Sequence, residues 1–423
     1  MLSLRWRQDL KNIVIIGAGP GGMMAAIKAA EEGARVTLLE KMPEAGKKLK
    51  ITGKGRCNIT SSLEGEFFLA GYAGGKGRFL YSVLNEFSNF DLIDFFEKRG
   101  VPCKVERGSR IFPCSDRAED VVEALKEELL QKGVKIYYKS RAQELIIADG
   151  GVTGVKTADR VFPAQAVVLA VGGMSYPGTG STGDGYRLAE SAGHSIITPR
   201  PGLVPLVTVE PWVKELKGLS LKNVQLTAFE PGGTRINQDF GEMLFTHFGI
   251  SGPIVLSMSR DIGEYLYKHT GQQVGVKIDL KPALSEETLE KRLDRDFALY
   301  SRKQFKNALN DLLPKSLIPV IIELSGIDPE QTVNSITRSQ RRGLVNLLKN
   351  LPVTVKGTRP IGEAIVTAGG VNLKEVDPKT MGSKITRGLF FAGEVLDIDG
   401  YTGGFNLQAA FSTGYAAGKY ASE

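Results

Sequence analysis

The stretch from residue 12 to residue 40 constrains this chain more than any other. A short β-branched run, NIVII (12–16), turns sharply into GAGPGG (17–22). Residues 23–32 read as a helix rich in Ala and Met, and ARVTLLE (34–40) as a second strand. Strand, glycine turn, helix and strand in about thirty residues form the βαβ unit of a parallel sheet. Gly17-Ala18-Gly19-Pro20-Gly21-Gly22 satisfies GxGxxG. Gly17 allows the tight turn, Gly19 lets the backbone approach a pyrophosphate, and Gly22 lets helix pack closely on strand. The phosphates would sit at the helix N-terminus, where free N–H groups and the dipole favour anions. Glu40 ends the second strand 18 residues past Gly22, placed to accept from ribose hydroxyls. An acid here disfavours a 2′-phosphate, so FAD or NAD fits better than NADP.

Glycine supplies 50 of 423 residues, about 12% against the ~7% of average usage. Hydrophobic content of 42% and charged content of 24% exclude disorder, and no triplet period suggests collagen. The excess is therefore local. Ala170-Val171-Gly172-Gly173 ends a buried strand, AVVLAVGG, and Gly393-Glu394 ends another. Gly403-Gly404-Phe405-Asn406 leads into an Ala-rich helix beginning at Leu407, spanning 407–421. Its N-terminus could present N–H groups to a flavin pyrimidine edge, where negative charge gathers on reduction. A single-domain NAD enzyme would not need these later clusters, so FAD is the favoured dinucleotide.

Helical periodicity covers 78–99 and 116–132, and strands are expected at 134–138, 143–148, 151–157 and 166–171. Pro199 and Pro201 mark a composition shift. The expected architecture is α/β. A Rossmann-like dinucleotide domain (11–195 and 352–423) is interrupted by an insert (196–351), β-rich over 196–282 and helical over 283–351. GLFFAGE (388–394) reads as a parallel strand with no partner in the insert, so the chain returns to its first domain.

The pattern resembles the glutathione-reductase-type FAD-binding superfamily: GxGxxG with Glu40, LAVGG and GLFFAGE match its elements. The last of these usually carries Asp after Gly; here Glu394 stands there and Asp397 is close by, so either acid could meet the flavin. Nearly end to end, the chain resembles a bacterial family of NAD(P)/FAD-dependent, aminoacetone-oxidase-like proteins that includes bile-acid 3-oxo reductases. The matching segments are KLKITGKGRCNIT (48–60), RIFPCSDRAEDVV (110–122), GGMSYPGTGSTGDGYRLAESAGH (172–194), EMLFTHFGISGP (242–253), IVTAGGV (365–371) and GEVLDIDGYTGGFNLQAAFSTGYAAG (393–418). The resemblance implies a β-barrel-like and helical insert within the FAD domain, and names no single substrate.

Other constellations are weaker. GxGxxG recurs at 178–183, but after a Pro-containing loop and without a βαβ frame. The TGDG run there (182–185) resembles fumarate-reductase-type flavoproteins, where it lies near FAD. Lys41, Lys47, Lys48, Gly53, Lys54 and Arg56 lie in or beside the basic glycine-rich loop after Glu40, where cations could neutralise FAD phosphates or an anionic substrate. Cys57 and Asn58 follow; Cys57 could be redox-active, or a small residue packed beside the flavin. His247 could donate a proton beside the flavin or be a hydrogen-bonded structural residue; Tyr176 and Tyr401 are lesser candidates. Arg338, Arg341 and Arg342 could touch tRNA, or form a solvated helix face.

Three cysteines at spacings of 46 and 11 give no disulfide framework or zinc pattern, pointing to a reducing cytoplasm. No metal ligand set stands out. Arg5, Arg7 and Lys11 before an apolar stretch mimic a secretory signal, but Asp9, Asn12 and four glycines break the pattern. No transmembrane segment is expected. The expected function is FAD-dependent oxidoreduction by hydride transfer through flavin N5. The donor is NAD(P)H, docking transiently, or a small amine or hydroxy substrate; the acceptor is an enone-type small molecule or O2. A nucleic-acid-associated, tRNA-modifying-like flavoprotein is the alternative, with the net charge of +7 serving RNA.

Overall fold

The computed structural model describes residues 10–423. Two compact units emerge: the described residues up to Gly202 together with Ile361–Glu423, and Leu203–Pro360.

The first unit is built on a five-stranded, wholly parallel sheet in the order Leu389–Phe391, Ala166–Leu169, Asn12–Ile16, Arg35–Leu39, Lys135–Tyr137. NIVII lies at its centre, and four of its five residues are buried. The run expected to mimic a signal is in fact this strand, the glycine turn and the helix Pro20–Glu31; Arg5, Arg7 and Asp9 lie outside the described residues. From the central strand the chain steps outward twice on one side, then crosses to the other for Ala166–Leu169 and Leu389–Phe391. The strand order thus reverses between Asn12–Ile16 and Ala166–Leu169. A ligand crevice in such sheets opens at that point, beyond the carboxyl ends of the strands.

Helix Pro20–Glu31 runs parallel to the C-terminal helix Phe405–Ser422, and glycines let the two touch. A Cβ on Gly414 would lie 2.3 Å from the Gly21 carbonyl oxygen, and one on Gly418 2.3 Å from that of Ala25. Part of the glycine excess therefore serves a helix crossing rather than a cofactor. Two small antiparallel sheets decorate the unit, Thr60–Ser61 with Arg110–Pro113 and Cys103–Glu106, and Glu144–Ala148 with Gly151–Lys156 and Val161–Pro163.

The second unit contains a closed six-stranded barrel of Leu206–Thr208, Gly249–Ser251, Arg235–Phe245, Ser220–Phe229, Val274–Asp279 and Leu351–Thr358. Alternate residues point inward, as period-two strands require: Leu226, Ala228, Val274, Val276, Ile278, Val353 and Val355 are buried. Helices Glu286–Leu299, Ile318–Ser325 and Arg338–Lys349 add a layer cored by Leu289, Leu293, Ile321, Leu344 and Leu348.

The units divide at Gly202 and Pro360 rather than at 195 and 351. Residues 196–202 pair antiparallel with Val366–Val371 in the first unit, while Leu351–Thr358 closes the barrel. The segment expected to be β-rich also holds a sixteen-residue helix, Pro253–Lys268.

A glycine-walled cradle at the carboxyl edge of the sheet

Three turns converge where the strand order reverses. The first follows Asn12–Ile16. Gly17 has φ +100°, and a Cβ on it would lie 2.6 Å from the Ala170 carbonyl oxygen. On Gly22 a Cβ would lie 1.8 Å from the Gly17 carbonyl oxygen, so no side chain fits there. At Gly19, by contrast, it would meet nothing within 4 Å: this turn is packed beneath and open above. Pro20 occupies the first helical turn, where no N–H is needed. Gly21 faces Ala392, just past the strand Leu389–Phe391, and Ala410 of the C-terminal helix. The orphan N–H groups of the first helical turn supply donors to an anion. A pyrophosphate fits such a cradle.

Glu40 is buried, with one oxygen accepting from the Ala18 N–H and the other from the Met42 N–H, both at 2.8 Å. Its carboxylate thereby ties the end of the second strand to the glycine turn, leaving further lone pairs for a hydroxyl.

Beyond Leu169 the chain passes Ala170 and the Gly172–Gly173 pair. Gly172 has φ +74°, and a Cβ there would approach Ser181 Oγ at 3.0 Å and Glu394 Oε2 at 3.9 Å. Glu394 is held by three donors: Lys48 Nζ (2.8 Å), Ser175 Oγ (3.0 Å) and the Thr367 N–H (2.7 Å). Asp397 accepts from Lys76 Nζ at 2.6 Å, and Asp399 from the same amine at 2.9 Å. Burial holds the Asp397 carboxyl above its usual range, with Lys76 opposing. The two acids are therefore distinct: Glu394 is the one beside Gly172, and Asp397 belongs to the Lys76 cluster. The N–H of Gly393 donates to Thr413 Oγ1 at 2.9 Å inside the protein.

The third turn opens the C-terminal helix. Gly403 (φ +134°) and Gly404 (φ +97°) precede Phe405. At Gly404 a Cβ would lie 2.4 Å from the Thr60 backbone. In the amide orientation that satisfies its neighbours, Asn58 accepts from the Gly404 N–H at 3.0 Å and donates to the Thr60 and Ile111 carbonyls. Asn406 turns back onto Gly400, donating to its carbonyl and accepting from its N–H, both at 2.8 Å. Tyr72 Oη donates to the Phe405 carbonyl at 3.0 Å. Leu407, half-buried, lies in the first helical turn.

The basic loop differs from its expectation. Lys47 and Lys48 open a short helix, Lys47–Ile51. Lys48 reaches Glu394, and Lys50 pairs with Glu44 at 2.6 Å. Arg56 is committed to Glu106 and to Asp116 (2.5 Å), with its guanidinium over the Phe112 ring, so its charge is met by protein acids. Lys41 is likewise committed, to Thr182 (2.5 Å) and Asp184 (2.7 Å). Gly53 (φ +62°) and Cys57 (φ +61°) shape the loop. Cys57 is fully buried, and burial pushes its thiol well above the ordinary range, so it stays protonated.

In the second unit His247 is exposed at the tip between Arg235–Phe245 and Gly249–Ser251, its ring edge-on to Phe248. Arg341 pairs with Asp294 at 2.9 Å and Arg342 with Glu290 at 3.3 Å, so two arginines of the basic cluster are matched by their neighbours. Ser175, Thr367, Asp184 and Asp399 were not singled out although their segments, GGMSYPGTGSTGDG, IVTAGG and GEVLDIDGYTGG, stood out; Lys76 carried no local signal.

A family profile described as HI0933-like protein Rossmann domain matches residues 11–420. The chain is 35% identical to a 3-dehydro-bile acid delta(4,6)-reductase of Clostridium scindens, over 98% of this chain and 100% of that protein. It is 34% identical to a ribosomal RNA dihydrouridine synthase of Haemophilus influenzae, over 95% of this chain and 96% of that protein. A solved 3-ketosteroid delta1-dehydrogenase from Sterolibacterium denitrificans superposes with a TM-score of 0.52, covering 98% of this chain and 99% of that one; at 14% identity the likeness is one of fold. Among the described residues no helix is long and apolar enough to cross a membrane. The chain belongs to the HI0933-like family of Rossmann proteins, with FAD as its cofactor.

Proposed function

We propose that this FAD-dependent oxidoreductase takes hydride from NAD(P)H and reduces a carbon–carbon double bond conjugated with a carbonyl in a small molecule. The observation that carries this reading is the near-full-length similarity to a 3-dehydro-bile acid delta(4,6)-reductase, a name that denotes reduction of ring double bonds in a 3-oxo substrate. When bound, FAD supplies the hydride-carrying centre at flavin N5.

The chain's residues bind and orient. The 17–22 turn and the start of helix Pro20–Glu31 would face the pyrophosphate, Glu40 a ribose hydroxyl, and the Gly172–Gly173 and Gly403–Gly404 turns the remainder of the cofactor. Lys48, Ser175 and the Thr367 N–H hold the Glu394 carboxylate in one orientation beside Gly172. His247 is our candidate for the proton that accompanies hydride to the substrate; its exposed imidazole can exchange with solvent.

A second reading keeps the chemistry and changes the substrate. Two ribosomal RNA dihydrouridine synthases, from Haemophilus influenzae and Escherichia coli, are 34% and 31% identical to the chain. Dihydrouridine also arises by saturating a ring double bond beside a carbonyl. The pairing of Arg341 and Arg342 with acids weakens the support of that basic cluster for RNA binding.

The test is anaerobic: enzyme reduced with NADH or NADPH is mixed with a 3-oxo-steroid enone or with unmodified ribosomal RNA, and flavin absorbance is followed. Rapid return of oxidised flavin with the enone alone is expected, and return with RNA alone favours the second reading. In His247→Gln the NAD(P)H step is expected to be unchanged and the acceptor step slowed about tenfold or more. Equal rates in both steps would remove His247 from the chemistry.

A further inference from the structure

Helix Asp184–Ser191 follows Gly183 and places Tyr186 against the Gly172–Gly173 turn. Tyr186 is 6% exposed. A Cβ on Gly173 would lie 3.2 Å from Tyr186 Oη and 2.4 Å from Thr367 Oγ1, so the two hydroxyls stand on the same small patch of backbone. Yet Tyr186 Oη has no hydrogen-bond partner among the described residues.

The neighbouring hydrogen bonds explain why. Thr367 Oγ1 accepts from the Met174 N–H (2.8 Å) and the Ser175 N–H (3.2 Å), which uses both lone pairs. Its own proton points toward Ser175 Oγ at 3.4 Å. Ser175 Oγ in turn accepts from Lys48 and donates to Glu394. The hydroxyl chain therefore runs away from Tyr186 and ends on a carboxylate. Burial, reinforced by the negative charges of Glu394 and Asp397, pushes the phenol well above its ordinary range, so Tyr186 keeps its proton. It is a buried donor without an acceptor, an arrangement that costs stability until something supplies one.

We propose that the Tyr186 hydroxyl is a cofactor-binding group that donates to an oxygen of bound FAD. The inference rests on FAD occupying the crevice at the carboxyl edge of the sheet, where the Gly172–Gly173 turn lies. It assigns to Tyr186 a role in cofactor affinity, and none in the chemical step.

The test compares wild type with Tyr186→Phe, which keeps the ring and removes the donor. Apoprotein of each is titrated with FAD by quenching of flavin fluorescence, and melted without FAD. The expected result is FAD affinity about five- to twentyfold weaker in the variant, the loss typical of one hydrogen bond. Its apoprotein should melt at the same or a higher temperature. Affinity within twofold of wild type would overturn the proposal, with a bound water as the hydroxyl's partner. A lower apoprotein melting temperature would also overturn it, because the hydroxyl would then be serving the fold. Wild-type apoprotein that takes up no FAD would remove both this inference and the reading beneath it.

Discussion

GxGxxG occurs twice in this chain, at 17–22 and at 178–183, and the two copies sit in different surroundings. The first leaves the central strand of a parallel sheet and enters a twelve-residue helix. Its Gly17 and Gly22 are walled by backbone, while Gly19 faces open space. The second begins within a single 3-10 turn, Pro177–Thr179, and no strand leads directly into it. Gly178 meets nothing within 4 Å, and Gly180 lies over Met42. Lys41 fastens this second loop through Thr182 and Asp184, and Arg141 joins at Asp184. The same letters thus make a cradle in one place and a fastened surface loop in the other. The difference lies in the flanking strand, which fixes where the backbone N–H groups point.

Substitutions can break or sharpen this contrast. The largest effect is expected for Gly22→Ala, whose methyl would lie 1.8 Å from the Gly17 carbonyl oxygen. A loss of about 3 kcal/mol or more is expected, with flavin absent from the purified protein, read by melting and by flavin content per chain. Glu40→Ala should cost less, about 1–3 kcal/mol, by leaving the Ala18 and Met42 N–H groups without their acceptor. Chemical denaturation of the apoprotein measures that cost directly, and an unchanged midpoint would mean that Glu40 does not hold the turn.

A pH effect comes next, from His194 in the same unit. Ser383 Oγ accepts from the Ile385 and Thr386 N–H groups, so its proton goes to His194 Nε2 at 2.7 Å. The ring is therefore neutral with its proton on Nδ1, 3.2 Å from Glu375 but poorly aligned with it. Burial holds its pKa below the ordinary value, outweighing Glu375. The unfolded chain then binds the proton more readily than the folded one. Stability from this group is complete above about pH 6.5, the ordinary histidine value, and falls as pH drops below it. His194→Gln should flatten that part of the melting-temperature profile. The smallest effect belongs to Gly178→Ala, expected to stay within about 0.5 kcal/mol of wild type with flavin content unchanged. Loss of flavin there would erase the distinction between the two turns.

The cradle was legible in the sequence where its determinants are local. NIVII, the glycines and ARVTLLE lie within thirty residues and each dictates its neighbour's geometry. The barrel was legible only as a β-rich tendency. Leu351–Thr358 pairs with residues about 150 positions earlier, and only closure of the barrel gives it a place. Helix Pro253–Lys268 carried a usable signal, Gly252-Pro253 at its start, where proline suits the first turn. The Lys48–Glu394 pair spans 346 residues, and no spacing rule reaches that far. Arg56 shows the converse: its motif suggested a phosphate ligand, whereas folding brings Glu106 and Asp116 to it first.

The most direct test of the central claim is an anaerobic two-step experiment on the purified flavoprotein. The enzyme is first reduced with NADH or NADPH, then mixed with a 3-oxo-steroid enone while flavin absorbance and product saturation are read together. The account predicts one equivalent of saturated double bond per flavin reoxidised, faster than free reduced flavin reacts. Flavin that stays reduced in the presence of every carbonyl-conjugated double bond offered, and returns only when oxygen is admitted, would contradict it.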